Sequence, residues 1–334
     1  MSPRPARRAT VWLTVAVAVQ LVLSPRFFFK YVDPLPGAAY AAYVALGLVA
    51  WTLVVRSPRL FRLLGSRGVL AAGLAVLTGM VGVAYPRADA LRAVRRGSDQ
   101  DDCVRALVDN VMALRAPYGM GYFGDPCSTG PGELVPYLPV AVWGGWFVVV
   151  PALVVLLGYR VLTLLVDTGT AVVLSLTQLV SWLFLELSAT GSDLPLIAWL
   201  FAAGVVASTL GLRRRDRVLT VGGGTAYLLF ATSRLPLLVV AAASMVVLVL
   251  VVGPRAWRLV APVLGGAVAL YATTYAMAPD RFRPGHLVGK SFRVLDALAD
   301  DPLAQAGVVV LVLGATTAVV LLRHTIRDRV VRGH

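Results

Sequence analysis

The sequence predicts an all-α, polytopic membrane protein of about ten transmembrane helices, with an amphipathic helix in a long outer loop, and three observations carry the class. Hydrophobic residues make up 58% of the 334-residue chain and charged residues 14%, where soluble domains average about 25% charged. Mean hydropathy is +0.78. Apolar runs long enough for a ~30 Å hydrocarbon core recur along the chain. The third observation is the placement of charge. Ten spans are read near residues 10–24, 38–55, 68–85, 135–157, 168–187, 194–212, 218–232, 236–252, 259–277 and 304–322. Counted through them, one side collects eighteen basic and three acidic residues, the other thirteen basic and fourteen acidic. Nearly all of the net +14 therefore sits on one face, as cytoplasmic loops require. Both termini are expected in the cytoplasm of a multi-pass cell-membrane protein. The asymmetry excludes a nucleic-acid-binding reading of the net charge.

The elements follow in order. Residues 11–23 after Arg7-Arg8 resemble a signal-peptide core, but no small-x-small cleavage site follows promptly, so an uncleaved first helix is expected. Residues 1–334 are expected to form a single integral membrane domain, with residues 86–134 and 278–303 as its extracytoplasmic loops. The run 218–253 is too long for one helix and breaks at Ser233-Arg234-Leu235-Pro236. An arginine in mid-membrane costs roughly 2.5–3.5 kcal/mol, so a tight helix pair with Arg234 at its outer turn is expected.

The first outer loop holds both cysteines, Cys103 and Cys127. In an oxidising compartment they are expected to pair, closing a loop worth about 3 kcal/mol; two free thiols are the alternative. Two cysteines and three scattered histidines match no metal-ligand spacing, and a divalent metal ion is left open as the one cofactor. Val104, Leu107, Val108, Val111, Met112 and Leu114 recur at helical spacing, giving an amphipathic helix suited to the outer membrane surface. Asp99, Asp101 and Asp102 open it. Capping and the helix dipole explain one such acid well and three less well.

The second outer loop carries Arg281, Arg283, His286, Lys290 and Arg293. Its Gly285-His286-Leu287-Val288-Gly289-Lys290-Ser291 lacks one residue between the glycines of a nucleotide-binding P-loop and follows no strand, so a Walker motif is rejected. A cationic, glycine-containing loop suited to a lipid-borne phosphate survives; charge balance with the acidic loop is the alternative.

Several stretches together resemble a family. Gly97-Ser98-Asp99-Gln100-Asp101-Asp102, the following helix with Pro117-Tyr118, Tyr122-Phe123-Gly124-Asp125-Pro126 and Ser128-Thr129-Gly130-Pro131-Gly132 are similar to the first outer loop of bacterial GT-C-type membrane glycosyltransferases. The nearest is a poorly characterised actinobacterial group. Glu186, Thr190-Gly191-Ser192-Asp193, the basic turn 213–217 and Ala231-Thr232-Ser233-Arg234-Leu235-Pro236 resemble the family's middle section. The likeness spans roughly residues 85–290.

The resemblance implies a polyprenyl-phosphate-linked sugar as donor, an envelope glycan or lipid as acceptor, and inversion. It places Asp101, or its neighbour Asp102, on the position of the catalytic acid residue, where a carboxylate takes the proton of the attacking hydroxyl. Asp99, Tyr118, Asp193, Arg234, Arg283, His286 and Lys290 are the candidate substrate-binding residues, with Arg234, Arg283 or Lys290 facing the lipid phosphate. Two features depart from the family: the acidic loop follows the third span rather than the first, and no soluble C-terminal domain is present. The competing expectation is a non-enzymatic membrane protein, either a lipid-linked glycan transporter or an envelope-assembly scaffold. A transporter would place charges or broken helices near the midplane, and the spans are nearly charge-free apart from Glu186.

Overall fold

The computed structural model describes residues 7–91, 100–116, 118–124, 127–141 and 146–279. Among them every regular element is a helix: α1 (Arg7–Val22), α2 (Pro25–Tyr31), α3 (Pro36–Arg56), α4 (Pro58–Leu64), α5 (Arg67–Ala90), α6 (Gln100–Met112) and α7 (Pro131–Ala141). There follow α8 (Trp146–Leu162), α9 (Thr168–Leu179), α10 (Trp182–Ala189), α11 (Leu194–Arg214), α12 (Arg217–Ser233), α13 (Leu235–Val252) and, after a single 3-10 turn, α14 (Trp257–Met277). Side-chain oxygens of Ser57, Ser66, Asp167, Ser181 and Asp216 accept the first free N–H groups of α4, α5, α9, α10 and α12. These caps satisfy donors that the helix itself leaves without partners.

Five helices are long and apolar enough to cross a membrane: α3, α5, α11, α13 and the 3-10 turn joined to α14. α9 and α10, bent by 65°, make a sixth if they act as one span. The chain is a helical membrane protein. The other expected spans fare differently. α1 has 16 residues and α8 and α12 have 17, one or two short of an 18-residue crossing. Within 135–157 the described residues belong to α7 and α8, with Pro136 and Pro139 inside the first. The tenth, 304–322, lies outside the described residues, as does nearly all of the loop at 278–303.

The chain divides into two compact units. The first comprises residues 1–101 and 142–199. Val17 and Leu21 of α1, Trp51 of α3 and Val173 of α9 form a core, and the Trp51 indole donates to Thr14 Oγ1 at 3.0 Å. At one end the turn before α5 meets the first turn of α9: a Cβ on Gly65 would lie 3.1 Å from the Gly169 backbone. That end carries the basic run Arg56, Arg59, Arg62 and Arg67. α5 then rises for 24 residues, about 36 Å at the α-helical rise, and delivers Tyr85 to the other end. It continues through Pro86 to Ala90, so it runs beyond the membrane boundary expected at residue 85.

The second unit comprises residues 102–141 and 200–334. α12 lies at its centre, with α7, α13 and α14 packed on it. Tyr227, Met245, Leu248, Leu259, Val260 and Val263 fill the interior. The later half of α11 approaches α12 so closely that a Cβ on Gly223 would overlap the Ser208 backbone nitrogen. Small residues permit such backbone contact where lipid provides no hydrophobic drive.

α6 forms as its periodicity predicts, but the environment of its apolar face differs from the expectation. Val104, Leu107 and Val108 are buried in the protein rather than laid on lipid. The 118–119 segment covers that region: a Cβ on Gly119 would lie 2.7 Å from Ala106 Cβ, and Asn110 Nδ2 donates to the Tyr118 carbonyl at 2.8 Å. Leu114 does not join the face. It follows the helix at φ 53° and is 97% exposed.

Candidate functional site

At the non-basic end of the first unit, α5 and the start of α6 hold a fixed carboxylate. The Tyr85 hydroxyl donates to Asp101 Oδ2 at 2.5 Å, and Asp101 is 1% exposed. Tyr85 is itself fixed by a stacked contact with Phe147, ring centroids 5.3 Å apart. Gly191 turns beside them at φ 66°, a left-handed conformation that glycine adopts without strain. A Cβ there would lie 2.8 Å from Asp101 Cβ, so this turn also needs glycine for space. Asp193, two residues on, is wholly buried at the start of α11. Asp101 and Asp193 are both withdrawn from solvent.

The same end contains an ion pair that the sequence reading did not single out. Lys30 Nζ, from α2, lies 3.2 Å from Glu186 Oε1 of α10. The available signal was compositional, because Lys30 is one of only two lysines among 31 basic residues. A cavity of about 370 Å³ opens beside the pair, lined by residues of α2, α5 and α10 that include Phe27, Met80, Val81, Trp182, Leu185 and Glu186.

The second unit builds a different polar end. Cys103 and Cys127 form the expected disulfide, their Cα atoms 5.4 Å apart. From Cys127 the chain runs onto the α12–α13 junction. The Gly130 N–H donates to the Ser233 carbonyl at 2.6 Å, and Arg234 Nη1 donates to Ser128 Oγ at 3.1 Å. A Cβ on Gly130 would overlap the Thr232 carbonyl oxygen, and one on Gly132 the Leu229 carbonyl oxygen. The junction is as expected: Arg234 is the single extended residue between the two helices, at φ −149° and ψ 137°.

Arg234 Nε also lies 4.0 Å from Glu133 Oε1. Glu133 is fully buried in the first turn of α7, where the helix dipole favours an acid. The sequence reading passed over Glu133, although its place two residues after Pro131 marks a helix start. Tyr118, buried in the same unit, packs with Tyr271 and Ala278. Burial, with the Glu133 carboxylate nearby, pushes its phenol above the ordinary range.

The candidates therefore separate. Asp101 and Asp193 lie in the first unit, and Tyr118 and Arg234 in the second, with the half-buried Asp102 at its start. Asp99, Arg283, His286 and Lys290 lie outside the described residues. Among the described residues no three His, Cys, Asp or Glu side chains converge as a metal site would require.

Long apolar helices carrying a few buried polar side chains define a polytopic helical membrane protein with its polar chemistry gathered at helix ends. No family model, curated protein or solved structure matches the chain.

Proposed function

We propose that this protein is an inverting membrane glycosyltransferase that moves a sugar from a polyprenyl-phosphate donor to an extracytoplasmic envelope acceptor. The observation that supports it is Asp101. A carboxylate that only capped α6 has no need of the interior, yet this one is buried and receives a hydrogen bond from Tyr85. A carboxylate fixed in this way has the pre-set geometry required of a general base. In the reaction the acceptor oxygen bonds to the anomeric carbon as the carbon–oxygen bond to the lipid phosphate breaks. The hydroxyl proton passes to Asp101, and the bonding pair leaves with the phosphate. The departing phosphate calls for a cation.

The charge distribution supports an orientation with both termini cytoplasmic and residues 86–134 and 278–303 outside. Within each unit the arginine-rich turns gather at one end and the acidic or disulfide-bearing segments at the other. Single-cysteine labelling reaches a position beside Pro126 from outside, and Arg214 only after permeabilisation. The reverse pattern excludes this orientation.

The decisive test of the activity is transfer from a defined polyprenyl-phosphate sugar by Asp101→Asn, which keeps the shape and removes the charge. The expected loss is roughly 10²–10⁴-fold in turnover with donor binding retained. Full activity of the Asp101→Asn, Asp102→Asn double variant overturns the mechanism. A second reading, a non-enzymatic envelope protein, is favoured by one observation: the lining of the 370 Å³ cavity does not include Asp101. Absence of transfer by the parent with every donor tried, together with specific retention of a lipid-linked glycan, selects that reading.

A further inference from the structure

The cavity in the first unit has a chemistry that the proposed reaction does not use. Its walls include Phe27, Tyr31, Met80, Leu91, Trp182 and Leu185, and Glu186 is its one carboxyl group among the described residues. A volume of about 370 Å³ falls within the roughly 300–1,000 Å³ of small-molecule sites. α5, which supplies one wall, is a candidate membrane span, so lipid is the natural source of an occupant.

Glu186 sets the requirement. The residue is 8% exposed. Its Oε1 accepts from Lys30, while its Oε2 is buried and has no hydrogen-bond donor among the described residues. A buried carboxylate oxygen in that condition is costly, and here it belongs to a side chain that lines an open cavity. Lys30 carries three N–H donors, directs one to Glu186, and keeps 26% of its side chain exposed. The pair as a whole is neutral. An anionic headgroup would answer Lys30 and oppose Glu186; a cationic one would do the reverse.

We infer that this cavity binds a phospholipid with a phosphoethanolamine-type headgroup, its primary ammonium donating to Glu186, its phosphate accepting from Lys30 and its acyl chain lying on the apolar walls. A quaternary ammonium fits less well. It has no N–H for Oε2 and depends on open aromatic faces. Phe27 and Trp182 cover each other, stacked with centroids 4.4 Å apart, and the Tyr31 ring already has Lys30 Nζ 4.8 Å from its centroid. The wall is aromatic, but it offers no cage.

The test uses the full-length chain, delipidated in detergent and titrated with dioleoyl phosphatidylethanolamine, phosphatidylcholine and phosphatidylglycerol, with bound lipid counted by native mass spectrometry. The ethanolamine lipid is expected to bind about tenfold more tightly than either of the others, the scale of one charge-assisted hydrogen bond. Glu186→Gln removes that preference. The Lys30→Gln, Glu186→Gln double variant leaves no unpaired charge in the fold and should treat all three lipids alike. Equal binding of the choline lipid by the parent overturns the assignment of the donor, and a preference for phosphatidylglycerol overturns the charge match. Selectivity that survives both variants removes the site. Free phosphoethanolamine is expected to bind far more weakly than the lipid; equal affinity would remove the acyl chain from the proposal. Each readout is binding alone, so loss of the glycosyl-transfer reading leaves this result standing, and the reverse also holds.

Discussion

The polar ends of the two units are held by different means. In the first, side chains meet across helices: Tyr85 with Asp101, Lys30 with Glu186, and Trp199 with Gln178 through a 3.0 Å hydrogen bond. In the second, the Gly130 backbone meets that of Ser233 beside the side-chain contacts of Arg234 with Ser128 and Glu133, and a disulfide fixes the loop that makes these contacts. Side-chain contacts occupy space that another rotamer or water can reuse. Backbone contacts leave no such latitude. The second unit should therefore tolerate change at its contact points less well than the first.

Breaking the covalent element is the severest test of that contrast. Cys103→Ser with Cys127→Ser removes a loop closure worth about 3 kcal/mol, and a matching drop should appear in the thermal midpoint of the detergent-solubilised protein. Reduction of the parent should reproduce it. Gly130→Ala comes next. A methyl group directed at the Thr232 carbonyl forces the loop away from α12, at roughly 1–3 kcal/mol as overpacking costs go. A variant as stable as the parent would show that the contact is not rigid.

On the first unit, Tyr85→Phe removes the hydroxyl that donates to Asp101, a contact worth about 1.5–3 kcal/mol on the scale of a hydrogen bond to a charged group. A water or rotamer that takes its place, the latitude of a side-chain contact, should bring the penalty below that of Gly130→Ala. The reverse ranking would dissolve the contrast between the units. The smallest effect is expected at Asp167, the cap of α9 in the first unit, where Asp167→Ala should cost about 1 kcal/mol. Burial pushes this carboxyl up, but hydrogen bonds from the Thr170 hydroxyl and from the Thr170 and Gly169 N–H groups outweigh it and hold it below its usual value. The parent gains that stability above the ordinary aspartate pKa of about 3.9 and loses it as pH falls through the lower folded value. A melting series from neutral to acid pH should show the gap between parent and variant closing.

What could be read in advance tracks how local the determining physics is. The Ser233–Pro236 break was legible because an arginine two residues before a proline in an apolar run is accommodated best at a helix junction. The Cys103–Cys127 pairing was legible because the two cysteines share one loop. The face of α6 was legible in its period, but its covering was not: the apolar side of a helix does not state whether lipid or protein will bury it. Lys30 and Glu133 escaped because their meaning depends on partners 156 and 101 residues away.

The disulfide also bears on the order in which the protein is made. Both cysteines leave the ribosome well before α12, and the Gly130 contact waits for Ser233, about a hundred residues later in the chain. At roughly 5–20 residues per second that interval lasts about 5–20 s. During it the loop has its cross-link but not its docking surface. An oxidase that acts within that window hands α12 a loop already shortened to its final reach. One that acts later must close the bridge inside an assembled bundle, so delaying oxidation until synthesis is complete should lower the yield of cross-linked protein.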